Sequence, residues 1–266
     1  MFEAYTSRAA VHRESTLSRL IISTALKRLE ACMTPEVSIA GAGPAGLTAA
    51  WKLPEKGVRV SVFERGLGVG GGMRGGSSLL PVGLIAEGAG ARIAREAGVR
   101  LERLSPDIYA ADPVELSVKL AAKAVDAGAC ILPGAFVEDL IIRKRNSQAI
   151  VEGVVIVLAP AVEAGWHIDP VYVESKAVVD ATGHDASLVR LAASRLGFKV
   201  PGMGGLDVWE GERMVVEKTG QVLPGLYAAG MSVAELHGTP RMGPIFSGML
   251  ASGAKVAEIV YRDLHG

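Results

Sequence analysis

Residues 36–65 read EVSIAGAGPAGLTAAWKLPEKGVRVSVFER. Val37 to Ala40 is a short apolar run suited to a buried strand. Gly41-Ala42-Gly43-Pro44-Ala45-Gly46 then spells G-x-G-x-x-G. A helical stretch, Leu47 to Leu53, leads to a second apolar run, Val58 to Phe63, which Glu64 closes. Each glycine has a mechanical reason: Gly41 permits the tight turn, Gly43 lets backbone approach a pyrophosphate, and Gly46 lets helix and strand pack closely. The helix start offers free N–H groups and a positive dipole end to phosphates. Glu64 can accept hydrogen bonds from both hydroxyls of an adenosine ribose and would repel a 2′-phosphate, which disfavours NADP. A plain glycine-rich turn is the alternative, but strand, glycines, helix, strand and acid fall here in the order a dinucleotide requires.

Working outward, AVVDATG (177–183) and VLPGLYAAGM (222–231) are two more buried runs that end in glycine turns. With the first motif they predict an α/β, Rossmann-like fold of the two-dinucleotide-binding flavoprotein type. Many such flavoproteins carry an aspartate after the last Ala-Gly to hold the flavin ribityl chain. Met231 stands there instead, which favours NAD over FAD. The expected architecture is one domain over residues 1–266. It has a parallel sheet with helices on both faces and a smaller antiparallel sheet around 136–180. RKRNSQ (143–148) reads as a solvated hairpin turn, not a nucleic-acid patch. The glycine-dense run Gly66 to Ser77 falls where it would cover the pyrophosphate. Residues 200–221, glycine-rich and polar, read as a flap, and Ser247 to Arg262 as a C-terminal helix.

Composition narrows the class. The 266 residues are 49% hydrophobic, with 28 Lys and Arg against 28 Asp and Glu, so no electrostatic footprint for nucleic acid or an anionic membrane exists. No apolar run approaches the roughly 20 residues needed to span a bilayer. Cys32 and Cys130 are too few for a disulfide framework and point to a reducing, cytoplasmic setting. The first 33 residues lack an uninterrupted apolar core and a small-residue cleavage site, which argues against a secretory signal. Glu14 and Glu30 argue against a transit peptide. Leu17, Leu20, Ile21, Ala25 and Leu29 recur near helical spacing, and Ser15 or Thr16 could cap the start. An amphipathic helix over about 15–32 is expected, packed on the body or on a neighbouring subunit.

GGGMRGG, FVEDLI, HIDP, VVDATGHDA, AAGM and AELHGTPRMGPIFSGMLASG occur in this order. On these motifs, over about residues 15 to 262, the chain resembles the thiamine thiazole synthases, and more closely their archaeal branch. RMGPIFSGM and ATGHDA carry the specificity; the glycine motif does not. The resemblance implies that NAD is a substrate, not a redox carrier. Nicotinamide is lost, the ADP-ribose isomerises to a ketone, glycine condenses with it, and sulfur addition with dehydration gives an ADP-linked thiazole carboxylate. Fungal and plant relatives take the sulfur from their own cysteine, two residues before an Asp-Pro. Here that position is His167, before Asp169-Pro170, so the resemblance implies free sulfide and multiple turnovers.

It further implies an Fe(II) ion held by Asp169 and His184. The carboxylate comes from an adjacent protomer of a homo-octamer, so that assembly completes the site. Carboxylate and imidazole suit a borderline divalent ion. Arg241 is matched to the glycine carboxylate, which a guanidinium fork fits bidentately. Nucleotide contacts are implied for Gly41, Gly43, Ala45, Gly46, Glu64, Arg65, Gly72, Val137, His167, Ile168, Asp169 and Met231. His167 is expected near NAD and sulfide, with its role open among ligand, proton carrier and contact. Read without the resemblance, Asp169 is a turn residue before proline, His184 a helix cap and Arg241 a surface charge. His237 reads as structural, and His12 and His265 carry no signal. Three other functions stand beside the synthase: a flavin- or NAD-dependent oxidoreductase of the same fold, a ribulose bisphosphate-forming isomerase, and a non-catalytic NAD-binding protein.

Overall fold

The structure is a computed structural model that describes residues 12–266. The reading of the first eleven residues as part of no targeting signal lies outside the described residues. The chain opens with α1 (Glu14–Cys32), followed by the nucleotide unit β1 (Val37–Ala40), α2 (Pro44–Lys52) and β2 (Val60–Glu64). Next come β3 (Gly83–Ala86), α3 (Ala89–Glu96), β4 (Glu102–Ser105), β5 (Ile108–Ala111), α4 (Pro113–Asp126) and β6 (Cys130–Pro133). A long hairpin, β7 (Ala135–Arg145) and β8 (Gln148–Leu158), leads to α5 (Ala159–Glu163), β9 (Val171–Glu174) and β10 (Ala177–Asp180). The chain ends with α6 (Ser187–Leu196), α7 (Val208–Lys218), β11 (Gly220–Leu223), β12 (Leu226–Ala228), α8 (Met231–His237) and α9 (Ser247–His265).

The main sheet has the order β11-β12-β10-β1-β2-β6. Five strands are parallel, in register Val37 with Val60 on one side and Ala177 on the other; β11 alone runs antiparallel. The chain leaves β1 for β2 on one side and returns to β10 on the other, so the crevice opens beyond the carboxyl ends of β1 and β10. Strand alternation assigns the two faces. Val37, Ile39, Val60, Val62, Ala177 and Val179 face α2, α4 and α9 through Leu47, Trp51, Leu116, Leu120, Leu250 and Val256. Each such fully buried aliphatic or aromatic side chain contributes about 1.5–3 kcal/mol. The opposite face, Ala40, Phe63, Val178 and Leu226, meets Leu188 and Ala192 of α6 and also Val137, Leu140, Val154, Ile156 and Val173.

That second layer is where the expected smaller antiparallel sheet lies. The sheet β7-β8-β9 shares the face with α6, because β7 and β8 are long enough to lay alternate apolar residues over the main sheet. The small sheet ends at Glu174; 177–180 is a central strand of the main sheet. A further antiparallel sheet, β3-β5-β4, was not anticipated, since its strands are only four residues each and β4 is largely polar and exposed. The turn between β7 and β8 holds Asn146 and Ser147 at φ +50° and +66°, the left-handed pair a two-residue hairpin needs. Half of the proposed flap at 200–221 is instead α7, with Asp207 capping it through Glu210 N. Gly211 sits so close to the Pro240–Met242 backbone that a Cβ would lie 2.8 Å from Pro240 O.

α1 forms where expected, but Arg13 precedes it and neither Ser15 nor Thr16 caps it. Every residue from Glu14 to Ala31 is exposed, and Cys32 alone in the helix is buried. Leu17, Leu20, Ile21, Ile22, Leu26 and Leu29 remain exposed, so the expected packing on the body is not seen among the described residues. Cys32 is joined to Cys130 at the start of β6, with Cα atoms 5.8 Å apart. The two cysteines, read as too few for a disulfide framework and as a sign of a reducing setting, are paired here: residues 98 apart in the chain are neighbours once β6 lies beside β2. Thiol titration of the denatured protein is expected to find no free thiol before reduction and two after it. No helix among the described residues is long and apolar enough to cross a membrane.

Candidate functional site

A cavity of about 690 Å³ lies at the carboxyl ends of β1, β2 and β10. The glycine turn forms its floor. Gly41 takes φ +97°, and a Cβ there would stand 2.5 Å from Ala181 O, so only glycine lets the turn meet the exit of β10. At Gly46 a Cβ would strike Gly41 O at 2.0 Å; this residue packs under the turn and does not line the cavity. At Gly43 and Gly72 a Cβ would meet nothing within 4 Å, and both residues face the cavity. The space that side chains would fill is left open beside the start of α2, as a pyrophosphate requires. Gly70 N donates to Ala42 O at 2.7 Å and folds the 66–77 run back over the turn. Glu64 ends β2 with its carboxylate accepting from Ala42 N and Gly66 N, both at 2.7 Å. Those bonds fix the carboxylate at the cavity edge, and each oxygen retains a lone pair for a ribose hydroxyl.

Arg65, Val137 and Ala45 line the same space, with the Arg65 guanidinium 5.7 Å from the Phe136 ring. Met231, first residue of α8, closes the inner wall. His184, Asp185 and Arg241 line the same cavity. His184 and Asp185 sit on a single 3₁₀ turn, Gly183–Asp185, between β10 and α6. Arg241 is held by its backbone, donating from N to Gly205 O at 3.0 Å, and its guanidinium has no carboxylate within ion-pair distance among the described residues. One cavity thus gathers an acid and open glycines together with an imidazole, a second carboxylate and a guanidinium.

His167, Ile168 and Asp169 are not among the lining residues. They lie exposed in the loop between α5 and β9, among Trp166, Val171 and Tyr172, which are 70%, 52% and 68% exposed. Within one chain, therefore, Asp169 does not share the cavity with His184. Among the described residues no three His, Cys, Asp or Glu side chains form a metal-holding group. One chain alone does not fit a metal ion; a His184 and an Asp169 brought from a second copy would supply imidazole and carboxylate. Neither cysteine lines the cavity. His237 ends α8 as an exposed residue outside the cavity lining, and its pKa is lowered by partial desolvation and by the charge of Lys218.

Two groups of functional interest escaped the sequence reading. Asp185 looked like a helix-start residue and instead lines the cavity. Glu212 looked like one charge in a polar flap. It lies in α7 with its carboxylate buried against the start of α9, accepts from Gly248 N at 2.7 Å, and its other oxygen has no hydrogen-bond partner. Burial pushes its carboxyl up to about 7 against the pull of Ser247 and Gly248.

Comparison with known proteins places this geometry. Residues 18–246 match the model of the Thi4 family. A thiamine thiazole synthase of Pyrobaculum aerophilum is 48% identical over 256 residues, covering 94% of this chain and 96% of the relative. One from Sulfolobus acidocaldarius is 44% identical over 223 residues, 83% of each chain. The crystal structure of Thermovibrio ammonificans THI4 superposes with a TM-score of 0.93 at 38% identity, covering 96% of this chain and 99% of the other. The L-proline dehydrogenase of P. horikoshii, at 14% identity and a TM-score of 0.56, shares the fold alone. On sequence over nearly its whole described length and on fold, the chain belongs to the Thi4 family, that of the thiamine thiazole synthases it resembles.

Proposed function

We propose that the protein makes an ADP-linked thiazole carboxylate from NAD, glycine and free sulfide, in an iron-dependent reaction with multiple turnovers. One observation carries this reading: a single cavity joins a dinucleotide cradle to His184 and Arg241 and contains no cysteine. Glu64 orients the adenosine ribose, Gly43 and Gly72 admit the pyrophosphate, and the nicotinamide ribose then points toward His184. Arg241 takes the glycine carboxylate through its guanidinium fork. Met231 and Phe246 are apolar walls that keep water from the reacting carbons. The exposed strip Trp166–Tyr172 is the surface by which a second copy would present Asp169 to His184, in a homo-octamer of the cytoplasm. Ferrous iron on that pair would supply an acceptor for sulfide.

Anaerobic incubation with NAD, glycine, Fe(II) and sulfide, followed by mass analysis of nucleotide and protein, tests the reading. Several product equivalents per chain with unchanged protein mass are expected. A single turnover with a protein lighter by about one H₂S would refute the use of free sulfide. Arg241→Ala is expected to raise the KM for glycine by about 10- to 100-fold, the loss of a charge-assisted pair, with the KM for NAD little changed. Steady-state kinetics in each substrate separately would show it, and equal rises would remove Arg241 from the glycine site.

A further inference from the structure

Asp180 is the last residue of β10 and has no exposed surface. Burying a carboxylate is costly unless its oxygens are filled by donors. Here five donors converge on it. Oδ1 accepts from Thr182 N at 3.0 Å, Thr182 Oγ1 at 2.7 Å and Ser232 Oγ at 2.9 Å. Oδ2 accepts from Leu188 N at 2.9 Å and Val189 N at 2.8 Å. Thr182 Oγ1 in turn accepts from Ser187 N at 2.8 Å. These donors belong to three separate pieces: the exit of β10, the first turn of α6, and α8. His184 and Asp185 lie in the short stretch that the first two pieces bracket, and both line the cavity.

That stretch does not rest in a relaxed backbone. Ala186 holds φ +43° and ψ +44° and is fully buried. A Cβ in this left-handed region costs about 1–2 kcal/mol. Such strain persists only where the surroundings over-determine it. Simple capping of α6 needs only the two bonds on Oδ2. The three on Oδ1 reach the other side of the turn and α8, whose first residue, Met231, also lines the cavity.

We propose that Asp180 is the positioning residue for His184. Its carboxylate clamps Thr182, the start of α6 and Ser232 around the strained 183–186 turn, so that the imidazole is held in the cavity at a fixed distance from the wall of α8. Asp180 touches no substrate; it acts through the turn. This inference rests on the reading that His184 works in the cavity.

Asp180→Asn keeps the shape but has one acceptor oxygen and turns an NH₂ toward donors, so one side of the clamp is lost. Ser232→Ala removes one Oδ1 donor and leaves both α6 bonds intact. Measured below its melting transition, Asp180→Asn is expected to bind NAD within about threefold of the parent and to lose at least about tenfold in kcat, as outer partners of a working histidine do. Ser232→Ala is expected to show a smaller loss of the same kind. Amide exchange read by mass spectrometry is expected to rise in the peptide spanning 181–187 in both variants, while the 188–196 peptide of Ser232→Ala stays protected. A parental kcat in folded Asp180→Asn, or equal proportional losses of kcat and NAD affinity, would overturn the proposal. If Asp180→Asn fails to fold, Ser232→Ala decides by the same measurements. If the parent protein makes no product, the proposed function fails, while unchanged 181–187 exchange in the variants would separately refute the clamp.

Discussion

Replacing His184 by alanine is expected to lower product formation by at least about 100-fold while changing NAD affinity by less than about threefold. The imidazole lines the cavity from its own 3₁₀ turn, Gly183–Asp185, and no hydrogen bond ties it to Glu64 or Gly43, so its removal leaves the nucleotide cradle in place. Asp169→Ala is expected to do the same, although Asp169 lies outside its own chain's cavity. The pair therefore offers a sharper measurement than either variant alone. When the two inactive variants are co-expressed, random pairing joins an intact His184 to an intact Asp169 at about one site in four, and roughly a quarter of the parental rate should return. Mixed oligomers as inactive as their parents would show that the two residues do not serve one composite site. Normal activity in both single variants would remove the metal-holding role altogether.

Between pH 4.5 and 7 the protein is expected to lose on the order of 3 kcal/mol of stability through Glu212. The acid titrates near its ordinary 4.5 in the unfolded chain and at about 7 in the folded one. Below 4.5 both states are neutral at this position and nothing is lost. As pH rises toward 7 the unfolded chain ionises first and is favoured. Above 7 both states are ionised and the loss is complete. The cause is the burial of a carboxylate with one oxygen unpartnered, beside Met242 and Gly248. Glu212→Gln should flatten this part of the profile and leave the variant more stable than the parent at pH 8. Urea denaturation at a series of pH values checks it; parallel profiles would mean that Glu212 stays ionised in the fold. Since Gly211 packs on the Pro240–Met242 backbone, the same buried acid sits behind the segment that carries Arg241.

Much of this molecule was legible because local rules and global fold agree. Gly41, Gly43 and Gly46 each stand where backbone geometry allows no larger side chain without a clash or a filled cradle, so their spacing alone located β1, α2, β2 and Glu64. His184 and Arg241 were found through the motifs ATGHDA and RMGPIFSGM, and the fold does bring both to the cavity. α7 was misread because Gly202, Gly204 and Gly205 precede it and Gly211 lies within it, where glycine weakens a helical pattern, and tertiary contact with α8 and α9 overrides propensity. The β3-β5-β4 sheet gave no signal, since strands of four residues carry too few alternations to be seen.

The sequence by itself determined the dinucleotide fold, the strand that ends in Glu64, and the absence of a thiol before Asp169-Pro170. These are matters of residue type at fixed short spacing, where backbone conformation and side-chain chemistry are local. Only the tertiary structure decided which distant residues meet. It paired Cys32 with Cys130, gathered Thr182, Leu188, Val189 and Ser232 on Asp180, buried Glu212 under α9, and left Asp169 on an exposed apolar strip away from His184. Those outcomes depend on how layers pack, and packing is set by the sum of many weak contacts that no single stretch of chain encodes.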